Sequence, residues 1–191
     1  CVSDVSIKIA NGKKMVSYIK LMSLFDSQRE SLDMGMVRII VKGGGTVPTR
    51  MKFGLNFIKR KGKTNLPSNI CFTANLPNEK ILKKPGTFRW CTIFDSENQR
   101  IYLQNTSFVK KGRGSSHVSI EVCRERDNKK LIMELMIPQD GTVEVMSDKV
   151  DEISKFLCGD IGWISFQCSN PFVFGYYVTD YNNGVVGADH L

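Results

Sequence analysis

The stretch Gly159-Asp-Ile-Gly-Trp-Ile-Ser-Phe-Gln-Cys-Ser-Asn-Pro-Phe-Val-Phe-Gly-Tyr-Tyr-Val-Thr-Asp-Tyr181 holds two aromatic and β-branched runs around one turn at Asn170-Pro171. Side chains of these types fit a pleated, half-buried surface, and the Asn-Pro step favours reversal of the chain. The pair closes a chain already rich in short strands. It predicts an all-β, antiparallel sandwich whose last two strands pack beside earlier ones.

Working back from this stretch, Leu131 to Ile137 reads as a strand stopped by Pro138. Asp140-Gly141 is a hairpin-type turn into Thr142-Val143-Glu144-Val145. Val118 to Val122 alternates apolar and polar residues, as do Met51, Phe53, Leu55 and Phe57, so each run has one buried face. Ile70 to Ala74, Thr87 to Phe94 and a short Ile101-Tyr102-Leu103 read as strands too, with Val5 to Ile9 and Met36 to Val41 before them. Two short helices are expected. One covers Met15 to Phe25; the other follows Ser147 or Asp148 as cap, with Val150, Ile153 and Leu157 on one face. About ten strands that do not alternate with helices disfavour a parallel sheet and favour a double-sheet jelly roll or similar Greek-key sandwich. Phe53, Phe57, Ile120, Leu135, Trp163 and Phe166 are expected in the core or between subunits, and alternation puts Trp90 in the core as well.

The chain has 191 residues, 41% of them apolar and 9% aromatic, enough for one sandwich domain spanning 1–191. No apolar run approaches the length needed to cross a bilayer, and Cys1-Val2-Ser3-Asp4 does not read as a signal peptide. Net charge is +8, which favours polyanionic partners, nucleic acid first. The charge is clustered in three apparent loops: Lys59, Arg60, Lys61 and Lys63; Lys80, Lys83 and Lys84; and Lys110, Lys111 and Arg113. Loop cations of this kind neutralise phosphates without reading bases. Phe57, Phe88, Trp90 and Phe108 lie near them in sequence and are candidates for stacking on unpaired bases.

Motifs for chemistry are weak. The six cysteines (Cys1, Cys71, Cys91, Cys123, Cys158 and Cys168) have no Cys-x-x-Cys spacing, and His117 and His190 stand apart, so neither metal nor cofactor is expected. The cysteines fall in strand-like runs where a free thiol packs as a small hydrophobe, which suits a reduced compartment. Gly62-Lys63-Thr64 resembles the end of a phosphate-binding loop, but Phe57 stands where that loop needs Gly. No nucleophile elbow accompanies Ser115, Ser116 or His117, so no enzyme is expected.

Several segments together resemble a family. Val16 to Phe25, then Gly35 to Val41, then Lys52 to Ile58 is similar to the middle of jelly-roll coat proteins of picorna-like RNA viruses. His117 to Val122 with Leu131 to Pro138 resembles their paired strands. Trp163 to Cys168, Asn170-Pro171 and Tyr176 to Tyr181 look like the closing strands of the small coat proteins of plant members of that order. The resemblance implies a capsid subunit of a small non-enveloped icosahedral positive-strand RNA virus. Such a subunit is cut from a polyprotein, resides in the virion and, during assembly, in the host cytoplasm. It would partner other capsid subunits and the viral RNA, and no membrane. Ile70 to Arg113 is longer and more basic than that pattern, and Gly86 to Asp95 also resembles plant-virus movement proteins. A movement or single-strand nucleic-acid-binding protein with a jelly-roll-like core is therefore the alternative. A cellular β-sandwich adaptor is a third possibility.

Overall fold

The computed structural model describes residues 39, 52–57, 68–73, 79–84, 86–95, 98–107, 109, 113–181 and 185–191. The described residues all lie within one compact unit, Met36–Leu191. The strand expected at 5–9 and the helix expected at 15–25 lie outside the described residues. Of the strand expected at 36–41 only Ile39 is described, exposed and in no regular element.

The described elements, in order, are β1 (Lys52–Phe57), β2 (Ser68–Thr73), a 3-10 turn (Glu79–Lys83), β3 (Thr87–Phe94), β4 (Asn98–Asn105), β5 (Ser116–Arg124), β6 (Lys130–Ile137), β7 (Thr142–Glu144), α1 (Val145–Leu157), β8 (Ile161–Cys168), β9 (Val173–Asp180) and β10 (Val186–His190). They make an all-β sandwich of two four-stranded antiparallel sheets, ordered β3-β8-β5-β6 and β10-β9-β4-β7, with β1-β2 as a separate hairpin. The pair β5·β6 is nested inside β4·β7, which is nested inside β3·β8. Connections from β3 to β4, β4 to β5, β6 to β7, β7 to β8 and β8 to β9 each pass from one sheet to the other. The run from β3 to β8 thus forms one long hairpin rolled across two sheets.

Period-2 patterning puts one side chain in two into the space between the sheets. Strand β5 is the clearest case: Ser116, Val118, Ile120 and Val122 are buried, while the residues between them face out. Cys91, Ile93, Ile164 and Phe166 join them from β3 and β8, and Ile101, Leu103 and Val173 from the other sheet. Ile120, Leu135 and Phe166 lie in or against this core, as expected from sequence.

Helix α1 closes one end of the core with Val145, Ile153 and Leu157, all essentially buried. It begins earlier than expected. Glu144 is the N-cap and makes no side-chain capping bond, so Ser147 and Asp148 stand in the first turn rather than at the cap. Packing of Val145 sets the start, and tertiary burial outweighs a cap worth about 1 kcal/mol. The helix ends where Cys158 turns left-handed (φ 54°) and donates its N–H to Ser154 O at 2.8 Å.

Three further elements depart from the sequence reading. β4 runs eight residues rather than three, because β9 pairs with it along its whole length. β10, unexpected in a Gly- and Asp-containing segment, is held by pairing with β9, and Ala188 N donates to Ser68 Oγ at 2.8 Å. The 3-10 turn at Glu79–Lys83 was likewise not signalled.

Candidate interaction surface

The outer face of sheet β3-β8-β5-β6 presents large apolar side chains. Phe88 and Trp90 project from β3, and Ile161 and Trp163 from β8, with 57%, 55%, 47% and 43% of their surface exposed. Register explains their proximity: Trp90 lies opposite Ser165, Thr92 opposite Trp163, and Phe94 opposite Ile161. The small partners Ser165 and Thr92 leave room for the indoles to lean together. Trp90 and Trp163 meet at 5.1 Å between centroids, tilted by 54°. Trp163 Nε1 donates to Glu125 at 3.1 Å, so its polar atom is satisfied and its ring remains open. Farther across the sheet, Ile132 and Met136 of β6 are also exposed. The alternation that placed Trp90 in the core chose the wrong face. Cys91 and Ile93 occupy the inner positions of β3, which moves Trp90 outward.

The charged outward positions of this sheet are Glu121, Glu134 and Lys130, and Lys130 Nζ already donates to Glu121 at 2.9 Å. At the rim, Asp127 takes Arg124 at 2.7 Å and Lys129 at 3.5 Å, while Asp160 takes Arg126 at 3.7 Å. The first of these, a two-pronged bond, holds the Asp127 carboxyl well below the usual range.

Of the ten clustered cations, seven (Lys59, Arg60, Lys61, Lys63, Lys110, Lys111 and Arg113) are the candidates for contact with nucleic acid, and the first six of these lie outside the described residues. Arg113 is described, and its guanidinium pairs with Asp140. The adjoining Gly114 N donates to Gln139 Oε1 at 2.7 Å, so this corner is tied locally to the β6–β7 turn. Phe57 is described only in its backbone, and Phe108 not at all. Lys83 and Lys84, just before β3, are exposed.

The Asn170-Pro171 turn is pinned by a polar network. Asn170 Nδ2 donates to Ser116 Oγ at 2.8 Å and to Asn105 Oδ1 at 3.1 Å, and buried Asn105 donates to Gly114 O at 2.7 Å. These bonds join loops of both sheets, and their role is structural. A cleft of about 670 Å³ opens beside β3, lined by Arg89, Trp90, Gln99, Tyr177, Tyr181 and Leu191. Arg89 Nε and Gln99 Oε1 are buried there without a hydrogen-bond partner among the described residues. On the other sheet Tyr102 and Tyr176 stack at 5.0 Å, and burial, with Tyr102 and Glu144 nearby, pushes the Tyr176 hydroxyl up to about 12.

Cys71, Cys91, Cys123, Cys158 and Cys168 carry free thiols, and Cys1 lies outside the described residues. Burial pushes the Cys91 thiol up to about 12, the state of an inert packing group. Among the described residues no group of His, Cys, Asp and Glu could hold a metal ion, and no helix is long and apolar enough to cross a membrane. Compared with known proteins, the chain matches no family model, and no curated protein matches it in sequence.

Proposed function

We propose that this protein is a structural coat subunit, a jelly-roll tile of a small icosahedral RNA-virus shell. The observation that carries the reading is the nested pairing of β5·β6 within β4·β7 within β3·β8, distributed over two sheets. A long hairpin rolled in this way is the antiparallel arrangement expected of a jelly roll. The apolar outer face supports the same reading, since a tile must offer surface that neighbours cover. The basic clusters Lys59 to Lys63 and Lys110-Lys111 would meet genome phosphates. Arg113 is the weaker member of its cluster, because a phosphate must compete there with Asp140.

Negative-stain microscopy of material from the native source tests the reading, with closed particles containing this chain as the expected result. Salt-sensitive RNA complexes without closed shells would overturn it in favour of the movement-protein alternative. Replacing Lys59, Arg60, Lys61 and Lys63 together by Gln should lower packaged RNA while the protein stays folded. Unchanged packaging would remove that cluster from the genome side.

A further inference from the structure

Arg89 stands in the row of β3 that carries Cys91 and Ile93 into the core farther along the strand. An apolar residue is the expected occupant of that row. The arginine is instead half-buried, and among the described residues it makes no ion pair and no hydrogen bond. Its Nε is enclosed. Its guanidinium lies 5.6 Å from the centre of the Phe174 ring, which attracts a cation but replaces none of the acceptors that five N–H groups need. A half-buried cation left in this state lowers stability. Its natural complement is an anionic oxygen from outside the chain.

Two clefts share this residue. A cleft of about 310 Å³ is lined by Lys84, Phe88, Arg89, Pro171, Phe172 and Phe174. Its described lining holds two cations and no carboxylate, a composition that suits a phosphate. The larger cleft, about 670 Å³, shares Phe88 and Arg89 with it and follows β3 past Trp90 to Gln99, Tyr177 and Tyr181. Both volumes fall in the range of small-molecule sites. The walls of the larger cleft are aromatic, and its polar groups complement a ring that carries N–H donors. Gln99, 4% exposed, donates Nε2 to Thr92 O at 3.0 Å, while its Oε1 receives no donor among the described residues. Asp189, the carboxylate of this cleft, has His190 Nδ1 at 2.9 Å and does not line the smaller cleft.

We infer that the two clefts bind one nucleotide unit, with its phosphate between Lys84 and Arg89 and its base against Trp90, Tyr177 and Tyr181. The phosphate supplies the acceptors that Arg89 lacks, and a base N–H supplies the donor that Gln99 Oε1 lacks. Aromatic side chains stack on the face of any base, so the site takes a free nucleotide or an unpaired residue of RNA. It uses none of the residues of the clusters Lys59 to Lys63 and Lys110-Lys111. The inference does not depend on the coat reading: nucleotide binding is measured on the purified chain, and shell formation on native particles.

Isothermal titration calorimetry with adenosine monophosphate, adenosine and inorganic phosphate tests it. The nucleotide should bind at least about 10-fold more tightly than either part, because each part leaves one cleft empty. Arg89→Met should lower nucleotide affinity about 10-fold or more, and Arg89→Lys less. Without ligand, Arg89→Met should melt no lower than the wild type, since it removes an unpaired charge from a half-buried position; an arginine with a purely structural role would give a lower melting temperature. Lys84→Gln and Trp90→Leu alter exposed positions and keep the test decisive if Arg89→Met does not fold. Lys84→Gln should weaken the nucleotide and leave adenosine unchanged, whereas Trp90→Leu should weaken both. Displacement of the nucleotide by single-stranded oligoadenylate assigns the site to RNA, and no displacement assigns it to the free nucleotide. Absence of nucleotide binding at millimolar concentration overturns the inference. So does affinity unchanged in Arg89→Met and Lys84→Gln, or phosphate that binds as tightly as the nucleotide. Native particles built from a chain that binds no nucleotide would remove this site and leave the coat reading standing.

Discussion

Single side chains in this molecule differ sharply in consequence according to the face they occupy. Phe166 and Ile132 are both apolar strand residues, yet one is essentially buried and the other exposed. Phe166→Ala should cost about 3–5 kcal/mol in urea unfolding through the cavity it leaves, and Ile132→Ser should stay within about 0.5 kcal/mol. Cysteines divide in the same way. A thiol reagent should label exposed Cys71 and Cys158 in the native protein, and reach Cys91 and Cys168 only on unfolding. Rapid native labelling of Cys91 would contradict the burial that pushes its thiol up to about 12. Asp127 gives the acid limit. Its folded carboxyl is held below its ordinary 3.8 by Arg124, so the pair's contribution is fully present above that value and is lost as pH falls below it. Asp127→Asn should flatten the acid end of a stability–pH curve, and an unchanged slope there would mean that the pair does not couple to folding. Asp127-Asn128 is a turn-forming pair by residue type. The two-pronged bond depends on the αL geometry at Asn128 (φ 54°), which spacing alone does not encode.

At the level of elements, close approach of backbones makes two glycines necessary. Gly86 has φ +107°, and a Cβ there would lie 2.1 Å from Cys168 O; Gly162 would place one 2.7 Å from Cys123 O. Either substitution by Ala should shift the unfolding midpoint downward by more than the about 1 kcal/mol that Gly-to-Ala entropy returns. Helix α1 offers the opposite case. Cys158 holds a left-handed conformation that costs an ordinary residue about 1–2 kcal/mol, so Cys158→Gly should stabilise by roughly 0.5 kcal/mol after the added chain entropy. A midpoint that falls instead would show that the Cys158 side chain contributes packing of its own. Strand identity was largely legible at this scale: β3 and β6 appear where the sequence placed them, and β8 and β9 cover the two runs read as the last strands, although β10 follows them. Strand length and helix start were less so. β4 and β10 take their extent from β9, and α1 takes its start from the burial of Val145.

For the molecule as a whole, the coat reading gives the exposed Trp90–Trp163 face to neighbouring subunits, and cover by a second copy would couple stability to concentration. The melting temperature of the wild type should rise with protein concentration, and that of Trp90→Lys/Trp163→Lys should not. Identical, concentration-independent curves for both would leave the face without a role in self-association. The sequence alone determined the all-β class and most strand positions, because side-chain alternation and turn residues act within a few neighbours. It also determined the basic balance, which needs only counting. Tertiary structure alone decided the nested order of the strands and which face of β3 looks outward. Both depend on pairing between residues far apart in the chain, such as Trp90 opposite Ser165. A register shift of one residue exchanges inner and outer faces without altering the local pattern, so Trp90 reads as core in sequence and stands exposed beside Trp163 in the fold.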